Sequence, residues 1–357
     1  MDFLHAHLTG SIPRRALHDV WLRKRAAGEA LALEDPLVAM PEDKAYDIET
    51  FFPLFSSYIY ALLTDEASVR ETAAAVLAAF AADGVAYLEL RTTPRASAAL
   101  SAEGYVAALL AEIEAFEGAG PAAGTETPQS QAQAAVRVQQ PRMRMRTRLI
   151  LSVDRRHTLD AARGVLALAN RFNAPGSPHR GRIVGLDLCG DPHARTGGAV
   201  ALFTPVFAAA RAAGLGVTVH FAECAAAASR RELETLLAWG PRRLGHVIHE
   251  DEAARAEIVR RGLCLELCLS CNVQAGMVGG GFEGHHFGAW RGRGGVSISL
   301  GTDDVGVFGS ALSNEYRLVA KHFGLDREAI CALARDAIEH IFGDEADKQW
   351  LREIMWT

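Results

Sequence analysis

The chain has 357 residues, a formal net charge of -6 and 49% hydrophobic residues. That is enough apolar material for one large core, and an α/β barrel of this length commonly forms a single domain. The acidic balance argues against a nucleic-acid groove. The six cysteines form no framework of short spacings, the N-terminus has no secretory pattern, and no run approaches a membrane span. The default compartment is therefore the cytoplasm, and the chain is expected to act as a monomer.

In chain order the sequence alternates short apolar runs with amphipathic stretches. Strands are predicted at Phe3–Leu8, Val85–Leu90, Arg148–Val153, Ile183–Leu188, Gly216–Phe221, Arg243–Ile248, Cys264–Leu269 and Val296–Leu300. Helical spacing falls between them at Glu66–Ala82, Thr158–Phe172, Val200–Ala213, Arg230–Trp239, Ala253–Arg261 and Asn314–Phe323. Gly84, Gly214, Gly262 and Gly324 stand where left-handed caps are expected. Eight strand–helix repeats predict a closed parallel (β/α)8 TIM barrel over residues 1–357. An open doubly wound sheet is disfavoured because no G-x-G-x-x-G follows the first strand.

Two stretches break the alternation. Residues 29–63, between the first strand and its partner helix, are predicted as a helical insertion over the barrel mouth. Their aromatics Phe51, Phe52, Phe55, Tyr58 and Tyr60 are available to line an apolar pocket. For any one of them, packing against the barrel is the stronger expectation. Residues 118–141, rich in Ala, Gln, Pro, Gly and Thr, are predicted as a disordered surface insertion with no catalytic role.

Candidate chemical groups cluster at or past predicted strand C-termini, the face on which barrels assemble their sites. His5 and His7 share one face of the first strand. His220, Glu223, His246 and the pair Asp303–Asp304 end later strands. Mixed His/Asp donors converging on one axis suit a mononuclear zinc site with an open position for water. Glu223 is either a first-turn helix charge or a proton shuttle beside the metal. Asp303 and Asp304 are either turn residues or a metal ligand beside a substrate contact. Cys268 and Cys271 form a lone C-x-x-C, read as a strand end, and His285–His286 lie in a Gly-rich loop and are expected to pack. Strand centres are expected to be apolar, because a buried charge there is costly.

With these residues identified, the chain resembles the adenosine deaminase family of the amidohydrolase superfamily. The motifs LHAHL, LELR, LDLCGDP, HFAE, LGH and TDD occur in that order and span nearly everything outside the two insertions. It looks most like the N6-methyl-AMP deaminase branch, through Leu90–Arg95, Val153–Arg156, Glu266–Leu269 and His285–Gly288. The resemblance implies one Zn²⁺ per chain held by His5, His7, His220 and Asp303. His246 would orient a water and Glu223 would protonate purine N1. Asp304 would accept a hydrogen bond from N7, the Gly190 backbone would meet N3, and His7 and Thr9 would touch substrate. Thr92, Thr93, Pro94 and Arg95 suit a phosphate monoester, and Asp154 suits sugar hydroxyls. For these two groups the alternatives are a strand-to-loop turn with a solvated Arg95, and pairing of Asp154 with Arg155 or Arg156. The implied activity is hydrolysis of N6-methyl-AMP to IMP and methylamine, with deamination of the nucleoside adenosine as the alternative.

Three features depart from the family pattern. Thr9 replaces the Asn usual in this branch, and Val247 follows His246 where Gly is usual. Only four residues precede His5, so the first strand is expected to be short or to have lost its beginning.

Overall fold

The computed structural model describes residues 1–41, 44–119 and 145–355. Eight strands run in chain order: β1 (Asp2–His7), β2 (Tyr87–Thr92), β3 (Arg146–Asp154), β4 (Ile183–Cys189), β5 (Gly216–Phe221), β6 (Arg243–His246), β7 (Cys264–Leu267) and β8 (Ser297–Leu300). Each pairs in parallel with the next. Closure comes through a parallel bridge between Ala6 and Asp303. His7 N donates to Asp303 O at 3.0 Å and Asp303 N donates to His5 O at 3.1 Å. The barrel is thus sealed at the end where the candidate metal donors lie.

All eight predicted strands are present, with their ends displaced by up to two residues. β6 stops at His246 because His246 and Val247 take positive φ, 64° and 55°. β7 stops at Leu267 because the chain enters a helix at Leu269–Gln274. The four capping glycines all have positive φ, where no Cβ would be tolerated without strain. The predicted helix over 200–213 is broken into a 3-10 turn, Ala199–Phe203, and a helix, Thr204–Ala212. Pro205 has no N–H with which to continue an α ladder from the 3-10 turn, and its fixed φ suits the first turn of the new helix.

Helix starts follow local chemistry. Asp65, Thr158, Asp251 and Asp326 each accept a hydrogen bond from a backbone N–H of the first turn. Between β1 and the helix Glu66–Ala82 lie short helices at Pro36–Ala39, Ile48–Leu54 and Tyr60–Leu62. The last two are joined by a π-turn, Phe55–Ile59. Pro53, inside the preceding helix, has no N–H to donate, which favours the local widening. Of the 118–141 segment, Gly118 ends the helix Ala102–Gly118 and Ala119 caps it. The remainder lies outside the described residues.

The strand centres are not uniformly apolar as expected. Glu89, Arg91, Asp187, Thr218, Arg243 and Glu266 are all buried. The charged ones are tolerated because each is paired, and Thr218 donates to Glu266. Arg243 meets Glu89 and Glu266, each at 2.6 Å, and Arg91 meets Glu266 and Asp187.

Candidate metal centre and substrate cleft

β1, β5 and the turn after β8 bring the histidines and Asp303 together. His7 Nε2 lies 3.1 Å from His220 Nε2 and 3.3 Å from Asp303 Oδ1, and His5 Nε2 lies 3.4 Å from Asp303 Oδ1. Donor atoms of His5, His220, His246 and Asp303 all fall within 4.8 Å of one another. Five side chains therefore converge where four protein positions were expected. Within this group His246 Nε2 lies 3.9 Å from Asp303 Oδ2 and 3.8 Å from Glu223 Oε1.

The residues fit a divalent cation. His5 Nε2 and His246 Nε2 are buried and have no hydrogen-bond partner among the described residues. Burial, and then Arg91, would lower the His5 pKa, but Asp303 and Glu266 prevail and hold it above the ordinary histidine value. Its surroundings thus favour positive charge. Burial and the neighbouring histidines push His7 down to about 3, overcoming Asp303, so it stays neutral with a lone pair to offer. Burial works to raise Asp303, but the close approach of His5 and the surrounding imidazoles hold it well below the carboxylate range. Nitrogen and oxygen donors of this kind suit zinc.

Outer contacts orient the donors. His220 Nδ1 lies 2.8 Å from Leu188 O and 3.3 Å from Asp187 Oδ1. His5 Nδ1 approaches Glu266 Oε2 at 3.1 Å as an ion-pair contact without hydrogen-bond alignment. One guanidinium, Arg91, holds both carboxylates. Cys271 donates its thiol to Asp303 Oδ2 at 2.9 Å. Two glycines leave the necessary space. A Cβ on Gly245 would sit 2.8 Å from His5 Cε1, and one on Gly10 would overlap the Asp304 carboxylate at 1.5 Å.

Beside these donors opens a cleft of about 570 Å³. His7, Thr9, Thr92, Thr93, Asp154, Gly190, His220, Glu223, Asp303 and Asp304 all line it. So do Phe51, Phe52, Phe55 and Tyr60, where packing was the stronger expectation for each alone. The insertion reaches over the strand ends, which turns these rings towards the cleft. Tyr58 behaves as expected and is tied to Glu34 O.

Burial, and then the Asp303 charge, raise Glu223 well above the ordinary carboxylate value, and the same causes raise Asp304. Glu223 Oε2 and Asp304 Oδ1 have no partner among the described residues. Two carboxyl groups whose surroundings favour the protonated form thus face the cleft.

The remaining predicted residues have other engagements. Thr92 Oγ1 shares a 2.6 Å hydrogen bond with Tyr105, and Thr93 Oγ1 lies 3.6 Å from Cys189 Sγ. Pro94 is buried, and the Arg95 guanidinium lies over the Tyr60 ring, 3.0 Å from its centroid. Asp154 is paired with Arg156, at 2.9 and 2.6 Å. Arg156 also lines the cleft, whereas Arg155 is buried against Glu232. Sequence reasoning missed Arg156 as a cleft residue. It also missed Arg91, Asp187, Glu266 and Asn272 as supports, because nothing local marks which distant donor each one touches.

A profile of the adenosine deaminase family matches residues 3–356. The chain belongs to the adenosine deaminase family. Within it, the chain is 32% identical to N6-methyl-AMP deaminase of Danio rerio over 362 residues, covering 99% of this chain and 93% of that protein. It is 30% identical to the Homo sapiens N6-methyl-AMP deaminase over 358 residues, covering 98% and 90%. The crystal structure of the Arabidopsis N6-mAMP deaminase superposes with a TM-score of 0.82 at 28% identity, covering 99% of this chain and 96% of that one. An Arabidopsis relative complexed with IMP superposes with a TM-score of 0.81 at 29% identity, covering 99% and 95%. Like other deaminases of this family, the chain is a hydrolase of C–N bonds. Among the described residues, no helix is long and apolar enough to cross a membrane.

Proposed function

We propose that this chain hydrolyses N6-substituted purine nucleoside monophosphates, converting N6-methyl-AMP and water to IMP and methylamine. One observation carries the reading: a metal-capable His/Asp cluster and the buried carboxyl groups of Glu223 and Asp304 share one cleft with Thr92, Thr93 and Asp154. In this reading His5, His7, His220 and Asp303 hold one Zn²⁺. The ion supplies Lewis acidity and brings a water's pKa towards roughly 7.

The chain's own residues do the rest. Glu223 donates its proton to purine N1, so attack at C6 does not leave negative charge on the ring. His246 faces the attacking oxygen. Asp304 was expected to accept from N7, but N7 of a neutral purine is itself an acceptor. Burial, and then the Asp303 charge, favour the protonated carboxyl of Asp304, so in this reading the direction reverses and Asp304 donates. The Gly190 backbone meets N3. At φ 94° a Cβ there would stand 2.7 Å from the Asp154 carboxylate, so only glycine leaves that edge open. The attacking oxygen first adds to C6 and the C6–N6 bond then breaks; of the water's two protons one replaces that given by Glu223 to N1 and the other reaches N6, which leaves as methylamine.

Phe51, Phe52 and Phe55 form an apolar wall and exclude water. Thr92, Thr93 and Arg95 bind the phosphate, Pro94 fixes their turn, and Asp154 binds sugar hydroxyls. The six free thiols support a reducing, cytoplasmic setting. The only exposed large apolar residues described, Leu22, Leu37, Val38 and Leu202, support a monomer.

The test is a steady-state comparison of N6-methyl-AMP, N6-methyladenosine and adenosine, with zinc measured on the same sample. The nucleotide is expected to lead in kcat/KM by about a hundredfold, the worth of charge-assisted contacts to phosphate. Preference for adenosine, with Arg95→Ala sparing activity, would overturn the phosphate assignment.

A further inference from the structure

The five converging donors leave open which one is not a ligand, and hydrogen-bond polarity behind His246 answers that. His246 Nδ1 lies 3.0 Å from Asn272 Nδ2, at the far side of the ring from the cleft. An amide facing an imidazole can be polarised either way. Its N–H can donate to a bare nitrogen, or, turned over, its oxygen can accept from an N–H.

The choice is made two residues further back. The backbone N–H of Phe287 points at His285 Nδ1 over 3.0 Å. A backbone amide can only donate, so His285 Nδ1 carries no proton. The proton of His285 is therefore on Nε2, which lies 3.1 Å from Asn272 Oδ1 and donates to it. With its oxygen taken, Asn272 presents its amino group to His246 Nδ1. Turning the amide over would set two donors against each other in a buried site. A ring nitrogen that accepts from the Asn272 amino group carries no proton, so His246 Nδ1 is bare. The single ring proton of His246 is then on Nε2, facing Glu223 and Asp303.

We propose that Asn272 and His285 are positioning residues that hold His246 in its Nε2–H form, making it a hydrogen-bond donor towards the attacking oxygen and not a metal ligand. The inference rests on the proposed reading in placing a metal beside His246. It gives a role to the His285–His286 pair of the Gly-rich loop. His286 Nε2 donates to His246 O at 2.7 Å, which supports the backbone at its strained φ of 64°. The two loop rings stack with centroids 4.1 Å apart. An Nε2–H has no lone pair for a cation, so the ligand set reduces to His5, His7, His220 and Asp303.

The experiment is NMR of the full chain labelled with ring ¹⁵N-histidine, zinc-free and zinc-loaded. Two-bond correlations distinguish the tautomers, and loss of one pattern in His246→Gln assigns the signal. The wild type is expected to show Nε2–H. Asn272→Asp, whose carboxylate can only accept, is expected to invert the pattern. It should lower kcat about 10- to 100-fold with zinc retained and KM nearly unchanged. His285→Phe keeps a ring but removes the donor and should weaken the preference. His285→Gln, whose amide donates to the same oxygen, should recover most of both signals. An Nδ1–H wild type, or Asn272→Asp with unchanged tautomer and kcat, overturns the proposal. If the variants fail to fold, the wild-type tautomer decides alone. That measurement needs no substrate, so it stands apart from any failure of N6-methyl-AMP as a substrate.

Discussion

Glu266→Gln is nearly isosteric yet should damage both the fold and the metal site. Glu266 is wholly buried between two arginines and His5. Its Oε1 accepts from Arg243 Nε at 2.6 Å. Its Oε2 accepts from Arg91 and lies 3.1 Å from both Thr218 Oγ1 and His5 Nδ1. A glutamine has one acceptor oxygen and two N–H donors, so either Arg243, at the Oε1 position, or Arg91 and His5, at the Oε2 position, face an amino group in place of an acceptor. Removing one member of a buried ion pair costs about 3–5 kcal/mol. Arg243 still has Glu89 at 2.6 Å and Arg91 still has Asp187 at 3.3 Å. The low end is therefore expected, about 3 kcal/mol. A weakened support for a ligating histidine adds about 10- to 100-fold in metal affinity, or roughly 1.4–2.7 kcal/mol. Urea unfolding of zinc-free protein reads the first quantity, and chelator competition reads the second. The zinc-loaded protein should lose more stability than the zinc-free one, because the weaker ligand stabilises the folded state less. Zinc affinity within about twofold of wild type would refute the link from Glu266 to His5.

Other outcomes follow from single contacts. Glu223→Gln should keep zinc and lose about a hundredfold or more in kcat; near-wild-type turnover would remove Glu223 from the proton path. Val247 is fully buried at φ 55°, a costly backbone for a β-branched residue. Val247→Gly should therefore match or exceed Val247→Ala in unfolding free energy, by up to about 1 kcal/mol. A clearly less stable Gly variant would contradict that strain. Asp65 is held down to about 2; burial would raise it, but its bond to buried Lys24 and the Ser68 N–H prevails. Its carboxylate form thus stabilises the fold above the unfolded pKa near 4. That contribution, about 2 kcal/mol, fades as pH falls towards 2. Asp65→Asn should lose it at pH 7 and flatten the acid limb of the stability curve; an unchanged acid limb would count against the pair.

The sequence by itself determined which residues would meet. His5, His7, His220, His246 and Asp303 all sit at strand C-termini, and a closed parallel barrel brings every such terminus to one face. Apolar periodicity, capping glycines and short strands were therefore enough to anticipate both the barrel and the donor cluster. Tertiary structure decided what each residue does there. Arg91 looks like a misplaced charge in an apolar strand until Asp187 and Glu266, from two other strands, are seen against it. Asp154 could face a sugar or an arginine, and only the fold shows it lining the cleft with Arg156 paired to it. The His285–His286 pair read as loop packing, yet its hydrogen bonds reach Asn272 and His246. Periodicity says which face a residue occupies, whereas proton placement depends on distances of about 3 Å between side chains remote in sequence. No local pattern encodes those distances; they arise only when the barrel closes.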